Sequence, residues 1–300
     1  MEHIEKPFIV ANTLPVSLKE IHDQHIIPVF SKDNSPLISQ SQIVETTLET
    51  ISSLGYEASE PEIRVSHPIM GRVPEARFKP ASELLPNEIT QYYERMIFLL
   101  KIPKIRSTVN GQELSLVVGG IKSYSWDNLG RDHKASQHFK FFVGFQVWVC
   151  SNLCVSTDGA VLELKANSPT LIASQIKEMM SIYRPERHLS WLEDLGNYGL
   201  KDSQFAKFIG RCSMQPFTED APKYSLSSTQ INSVVKGYYA DPCFSHGKEE
   251  ISLWNLYNLI TESNKGSYID GFLDRNVSGE RIVEDLRHSL HTGSPNWYLN

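Results

Sequence analysis

The sequence of 300 residues has few cysteines and no long apolar run. Four cysteines are too few for a disulfide framework, which favours a reducing, intracellular location. No apolar stretch approaches the roughly 18 residues that a membrane span requires. The first residues, MEHIEKPFIVANTLP, are acidic early and lack the hydrophobic region of a signal peptide. The sequence therefore predicts a cytoplasmic protein that does not enter the membrane.

Recognisable catalytic motifs are also missing. The chain contains no Gly-x-Ser-x-Gly elbow, no phosphate-binding loop, no kinase signature and no dinucleotide fingerprint. Cys150 and Cys154 have a spacing that a zinc site permits, but a second pair is found only in the distant Cys243 and His246. Burial as small apolar side chains is the commoner role of free cysteines. We therefore predict no catalytic residue, no metal site and no cofactor.

The charge of the chain is unevenly distributed, although its net value is −6. Residues 63–140 contain 12 Lys and Arg against 7 Asp and Glu, about +5, and the remainder contains 17 against 28, about −11. A basic half can attract a polyanion such as nucleic acid. A solvated surface on which the charges segregate by chance explains the same distribution.

The most informative stretch of the chain is an alternating apolar segment at 138–150. One face of a strand there carries Phe139, Phe141, Val143, Phe145, Val147 and Val149. The other face, from Lys140 to Cys150, is also largely apolar. A strand with two apolar faces lies within a sheet that other layers cover. We predict Phe141, Val143, Phe145 and Val147 to be core residues.

Local signals predict further elements in the first half of the chain. A helix is expected over 41–54, ending at Gly55, and a second amphipathic helix from Pro86 to Leu100. Asn110-Gly111 predicts a hairpin with a type I′ turn. Asp158-Gly159 predicts a second hairpin, between 153–156 and 160–166.

The pattern becomes helical from Ser168 onward. Ser168-Pro169 is a good start for a helix, and further helices are expected near 187–195, 202–214, 227–236, 249–262 and 278–290. Ser278 can cap the last of these helices, and Gly293 ends it. The predicted fold class is α+β, with a mostly antiparallel sheet and flanking helices in the N-terminal half and a helical C-terminal half. We divide the chain into an extended N-terminal arm (1–40), a sheet region (41–166) and a helical region (167–300) that packs with the sheet as one unit.

Candidate nucleic-acid-binding residues lie in the basic half. Cations for phosphates and an aromatic ring for base stacking are what single-strand binding requires. The residues that supply these groups are Arg64, Arg72, Arg77, Lys101, Lys104, Arg106 and Trp126. No motif of a known RNA-binding or DNA-binding module accompanies them. The prediction therefore depends on these side chains sharing one face.

Two polar features provide other candidate sites. Asn255, Asn258 and Glu262 form a narrow stripe on the helix predicted at 249–262, where they contact a ligand, orient a partner loop or form an ordinary solvent face. The polar loop 130–137, which precedes His138, can form the mouth of an enzyme site near 130–154.

Two segments resemble a known group of proteins. They are Val149–Leu153, which follows the aromatic strand, and Trp254–Glu262. Together they resemble uncharacterised phage/plasmid-like families of unknown function. A narrower resemblance, to a subfamily associated with conjugative transposons, covers roughly residues 60–275 and includes Gly144–Gln146, Asn152–Cys154 and Thr157–Gly159. The resemblance implies a mobile-element context and residence in the cytoplasm. No catalytic residue is established for the group, so it implies none here.

Three functions are consistent with these observations. The leading hypothesis is binding of single-stranded DNA, or support of its processing during transfer. The alternatives are a factor that binds a host or element-encoded protein without touching nucleic acid, and an enzyme with a site near 130–154. The acidic total argues against tight nonspecific nucleic-acid binding, because like charges repel the phosphate backbone. The oligomeric state stays open.

Overall fold

Six antiparallel strands form the main sheet of the computed structural model, which describes residues 7–24, 38–76, 78–129, 136–246 and 249–300. In chain order the strands are β1 (Leu14–Val16), β2 (Glu62–Val65), β3 (Pro68–Arg72), β4 (Ile89–Tyr93), β5 (Arg95–Val109), β6 (Gln112–Ser123), β7 (Gln137–Val147), β8 (Leu153–Ala166), β9 (Gly199–Lys201) and β10 (Glu250–Ser252). The order across the main sheet is β1-β2-β5-β6-β7-β8. β3 pairs with β4, and β9 with β10, in two separate ribbons.

Helices dominate the C-terminal half. In chain order they are α1 (Leu18–Gln24), α2 (Gln40–Ser53), α3 (Pro169–Ile182), α4 (Pro185–Asp194), α5 (Asp202–Met214), α6 (Ser228–Ala240), α7 (Leu253–Asn264) and α8 (Ile269–Thr292). The predicted α+β fold class is confirmed. Among the described helices, none is both long enough and apolar enough to cross a bilayer.

The main sheet is covered on both faces. Alternate residues of β5, β6 and β7 join a large apolar cluster with α2 and most of the later helices. The intervening residues, such as Ile97, Val117 and Phe142, pack in a second cluster with Phe8, Ile9 and the first turns of α8. The long helix α8 contributes to both clusters, because Phe272 lies in the second and Leu286 in the first.

Strand β7 is the predicted central strand. Phe141, Val143, Phe145 and Val147 are all buried, and the strand lies between β6 and β8, so these core predictions are confirmed. The predicted end of the strand at residue 150 is wrong. The strand stops at Val147, and a turn follows in which Ser151 adopts a positive φ of 57°. Val149, predicted as part of the apolar face, is 39% exposed.

Elements with strong local signals are confirmed. Asn110 and Gly111, with φ values of 46° and 77°, turn β5 into β6, as a type I′ hairpin requires. Helix α2 has a capping box at Ser39, and helix α3 begins at Pro169 with the Ser168 hydroxyl accepting from the Leu171 amide. These elements follow from short-range hydrogen bonds that the local sequence fixes.

The helix predicted from Pro86 to Leu100 is wrong. Pro86 opens only a short 3-10 turn, after which the chain forms β4 and enters β5. The segment Met96–Leu100 is apolar at every position and fully buried, with side chains in both apolar clusters. A continuous apolar run satisfies both helical and strand periodicities, so pairing with β2 and β6 decides the outcome.

The second predicted hairpin, at Asp158-Gly159, is also wrong. Strand β8 continues through this point along a single partner, β7. Val155 pairs with Gly144 and Ala160 pairs with Phe142, so residues 156–159 bulge out opposite one residue of β7. Gly159 lacks the positive φ that a type I′ turn would need.

The helical half differs from prediction mainly at the boundaries. Helix α5 matches the predicted 202–214, whereas α8 begins at Ile269, well before the predicted cap at Ser278. Gly293, with φ of 70°, ends α8 as predicted. In the N-terminal segment, β1 pairs with β2 and α1 contacts α2.

Candidate functional site

Two of the predicted phosphate-binding arginines are held by their own chain. The Arg64 side chain on β2 donates to the carbonyl and hydroxyl oxygens of Thr13 at 3.1–3.2 Å, and burial lowers its pKa. Arg72 lies on the β3–β4 ribbon and donates to the Lys79 carbonyl. These two cations therefore belong to different sheets. Arg77 lies outside the described residues.

Trp126, the predicted stacking residue, lies in a 3-10 turn after β6. Its ring is half-buried against the second apolar cluster, and the Lys140 ammonium lies 4.9 Å from the ring centre. Lys140 in turn contacts the Asp274 carboxylate at 2.5 Å. The structure thus places Trp126 among groups of its own chain, apart from the other predicted cations.

Lys101 and Arg106 do come together, at the end of the sheet face that α8 leaves open. The β5–β6 pairing shifts between Ile102 and Arg106, so Lys101 lies opposite Val117 and Arg106 lies opposite the next residue on that face, Ser115. Residues 103–105, which include Pro103, form the bulge. A cleft of about 420 Å³ opens there, lined by Ser59, Glu60, Pro61, Glu62, Leu99, Lys101, Pro103, Arg106, Ser115 and Trp148. We call it the Trp148 cleft.

Trp148 supplies the aromatic ring of the cleft. It is the first residue after β7, its amide donates to the Glu113 carbonyl at 2.9 Å, and its side chain is 45% exposed. The Lys101 ammonium lies 6.0 Å and the Arg106 guanidinium 5.5 Å from the centre of the indole ring. Both distances are in the range of cation–π contacts. An exposed indole with two neighbouring cations can stack on a planar group that carries negative charge.

Carboxylates surround the same cleft. Glu113 contacts the Arg106 guanidinium at 3.3 Å, and Glu57 contacts the exposed Lys104 ammonium at 3.0 Å. Burial raises the pKa of Glu62 and lowers the pKa of Lys101. The cations near the cleft are therefore partly compensated, which weakens its attraction for a polyanion.

The polar stripe on α7 faces the interior and the adjacent loops. Asn258 is fully buried, and its carbonyl and side-chain oxygens accept from the Asn152 amide at 3.0 and 3.3 Å. Asn255 donates to the Ser245 carbonyl at 3.2 Å. Glu262 accepts from the Lys265 ammonium at 2.7 Å. The three residues bind the chain itself and hold the β7–β8 turn and the 243–246 loop against α7.

The cysteines are free thiols. Cys150, Cys154 and Cys212 are buried and Cys243 is exposed. Burial raises the pKa of both Cys150 and Cys212 to about 12. Within the described ranges, no group of three or more His, Cys, Asp or Glu residues is arranged to hold a metal ion. Most of the predicted polar loop, 130–135 with His133, lies outside the described residues.

Sequence reasoning selected Trp126 rather than Trp148 as the stacking residue. The period-2 pattern placed Trp148 within a covered strand, because nothing local marks the end of β7 at Val147. The turn that follows, with Ser151 at a positive φ of 57°, is evident only in the structure.

Comparison with known proteins identifies a family without a described activity. No curated protein and no solved structure matches the chain. Residues 2–299 match the model of a family described as "Domain of unknown function, B. Theta Gene description (DUF3871)". Since the match spans almost the whole sequence, the chain belongs to this family of unknown function.

Proposed function

We propose that the Trp148 cleft binds single-stranded nucleic acid. One base stacks on the exposed indole, and Lys101 and Arg106 contact the neighbouring phosphates. The observation that carries the proposal is the position of both cations within 6.0 Å of an exposed aromatic ring. Base–aromatic stacking combined with phosphate contacts is the usual chemistry of single-strand binding.

The size and charge of the cleft favour a short, weakly bound single strand. A volume of about 420 Å³ accommodates one or two planar groups, and a duplex keeps its bases stacked and unavailable to the indole. Glu57, Glu60, Glu62 and Glu113 repel phosphates nearby. We therefore expect affinity in the micromolar range or weaker.

The cellular setting is part of the same proposal. The resemblance to phage/plasmid-like and conjugative-transposon proteins supports a role on single strands exposed when a mobile element moves. Such strands occur in the cytoplasm, where we place the protein. This setting rests on the short motifs around Asn152 and Trp254, and the binding proposal holds without it.

A salt series tests the contribution of the cations. Each neutralised phosphate of a single strand contributes a slope of about −0.7 to log K against log salt, so two contacts predict about −1.4. Fluorescence anisotropy with a labelled oligothymidine should show this slope for the native protein. The triple variant Lys101→Ser, Lys104→Ser, Arg106→Ser should flatten it. An unchanged slope in the folded variant would contradict the assignment of the phosphate contacts.

The stacking contact is tested with a matched pair of aromatic variants. Trp148→Ala should weaken binding by about 1–3 kcal/mol, the usual contribution of one stacked base. Phe217→Ala removes an exposed ring (89%) in a different part of the chain and should leave affinity unchanged. Equal effects of the two substitutions would indicate that the indole does not stack.

Binding of a partner protein is the second candidate function, and an exposed apolar surface favours it. On the β3–β4 ribbon, Met70 and Ile89 lie on one face, and they are 65% and 39% exposed. Leu85, just before β4, is 54% exposed. Apolar side chains grouped on an exposed ribbon are typical of interaction surfaces. An element-encoded or host protein is the proposed occupant.

The ribbon function is tested by co-purification from the native host. Met70→Glu with Ile89→Glu should release a stoichiometric partner, while Leu54→Glu, at another exposed apolar residue, should retain it. Retention of the partner by the ribbon variant would exclude this surface as its binding site.

A further inference from the structure

A second cavity lies beside the bulge of β8, on the side of the sheet that carries α4. At the bulge, Ser156, Thr157 and Asp158 face α4 and the middle of α8. The bulge and the two helices together enclose about 300 Å³. The chain can follow this path because residue 159 is glycine: a Cβ at this position would lie only 2.3 Å from the Val143 carbonyl oxygen. The cavity is at the lower end of the size range of small-molecule sites. We call it the bulge cavity.

His188 lines the bulge cavity and is 3% exposed. Its Nδ1 shares a hydrogen bond of 2.7 Å with the Tyr183 hydroxyl, and its ring meets the edge of Phe145 at 5.6 Å. Its Nε2 has no hydrogen-bond partner among the described residues. Burial lowers the pKa of His188 to about 4, so the ring is neutral at neutral pH. A buried polar atom without a partner is costly, and a ligand group can satisfy it.

Glu280 lies across the cavity on α8, with its side chain 11% exposed. The Thr157 hydroxyl donates to its Oε2 at 3.0 Å. Burial raises the pKa of Glu280 to about 7, so both its protonated and its ionised forms are populated near neutral pH. The carboxyl group can therefore donate a hydrogen bond into the cavity when it is protonated.

Two arginines line the cavity, and Arg281 is ion-paired with Glu280 without a hydrogen bond. Arg187 on α4 has no hydrogen-bond or ion-pair partner in the described part of the chain. The Arg281 Nε lies 3.6 Å from the Glu280 carboxylate, beyond hydrogen-bond length, and has no hydrogen-bond partner there. Planar guanidinium groups bind carboxylates and phosphates through paired hydrogen bonds.

We propose that the bulge cavity binds a small organic carboxylate, whose anionic end contacts Arg187 and Arg281 and whose neutral end reaches His188. A single negative charge suits the site better than a phosphate dianion, because Asp158 and Glu280 line the same space. Trp191 provides a flat apolar wall for the body of the ligand. This site is separate from the Trp148 cleft and does not depend on nucleic-acid binding.

Benzoate is a suitable probe, because it combines one carboxylate with a flat ring. The Trp191 indole N–H, which donates to Glu284 at 2.7 Å, provides a reporter signal in the ¹H–¹⁵N spectrum, assigned by its loss in Trp191→Phe. We expect this signal to shift saturably with millimolar sodium benzoate and not with inorganic phosphate. No saturable shift with benzoate, or one with phosphate alone, would overturn the proposal.

Arginine variants localise the anion. Arg187→Gln combined with Arg281→Gln should weaken benzoate binding at least about ten-fold, since charge-assisted hydrogen bonds are lost. Arg184→Gln is the matched control: it removes an exposed cation just before α4 that does not line the cavity and should leave binding unchanged. Undiminished benzoate binding by the double variant would place the anion elsewhere.

The pH dependence of benzoate binding provides an independent readout. The groups that face Glu280 or share its cavity are Thr157, Asp158, Tyr257, Arg187, His188, Arg281 and Glu284. Affinity should fall as the pH rises through about 7, because the ionised Glu280 repels the ligand carboxylate. Glu280→Gln should remove this dependence while retaining binding. A Glu280→Gln variant with the native pH profile would exclude Glu280 from the site.

Discussion

Replacing Phe145 with alanine should lower the free energy of unfolding by about 3–5 kcal/mol. The side chain is fully buried on β7, in the large apolar cluster. Leu116 and Cys154 lie opposite it on the two neighbouring strands. Because both neighbours are fixed by sheet hydrogen bonds, the site cannot easily close around the space left by the ring.

Equilibrium urea denaturation measures this loss. Val149→Ala is the control, since Val149 is 39% exposed just beyond the end of β7 and should change stability by only about 0.5 kcal/mol. An unfolding free energy of Phe145→Ala equal to that of the native protein would contradict the position of β7 within the covered sheet.

Replacing Asp127 with alanine should also cost about 3–5 kcal/mol, because it leaves a buried charge without its partner. The Lys122 side chain is 0% exposed, and its ammonium lies 2.5 Å from the Asp127 carboxylate. Asp127 also accepts from the His138 amide at 2.9 Å. The Phe139 ring, 4.4 Å from the ammonium, cannot replace the carboxylate.

The effect of Asp127→Ala should depend on pH. Burial lowers the pKa of Lys122 to about 8, below its unfolded value of about 10.4. The unfolded chain therefore binds more protons between these values, so native stability rises with pH across this window. Without Asp127 the pKa of Lys122 in the folded protein falls further, so its amine becomes neutral at a lower pH. The loss of unfolding free energy in Asp127→Ala should therefore shrink as the pH rises toward about 8.

Denaturation of Asp127→Ala at about pH 6 and about pH 9 tests this coupling. Adding Lys122→Met removes the unpaired charge and should recover most of the stability at the lower pH. A deficit that is the same at both pH values, or that Lys122→Met does not reduce, would show that the buried charge is not its cause.

The elements that the sequence predicts correctly depend on short-range chemistry. The Asn110-Gly111 turn requires only two residues that tolerate positive φ, and helix α3 starts at a serine cap followed by proline. In contrast, Met96–Leu100 fits a helix or a strand by periodicity alone. Its strand conformation depends on pairing with β2, which lies well before it in the sequence, and with β6, which follows it.

The candidate sites depend on the same long-range pairing. Lys101 and Arg106 were predicted by residue type, but the β5 bulge determines that they share a cleft. Asp158-Gly159 has the residues of a turn, yet pairing of β8 with β7 on both sides makes it a bulge. His188 and Glu280 come from different helices and meet only when both pack on that bulge, so no local pattern could identify them.

Photocrosslinking tests most directly the claim that the Trp148 cleft binds a single strand. The full-length protein is irradiated at low salt with an iodouracil-substituted oligothymidine, and the crosslinked peptide is identified by mass spectrometry. We predict a crosslink to Trp148, lost in Trp148→Ala and reduced by the triple variant at Lys101, Lys104 and Arg106. Failure to retain the strand at about 50 mM salt, or crosslinks that map only to Trp126 or the β3–β4 ribbon, would contradict the proposed function.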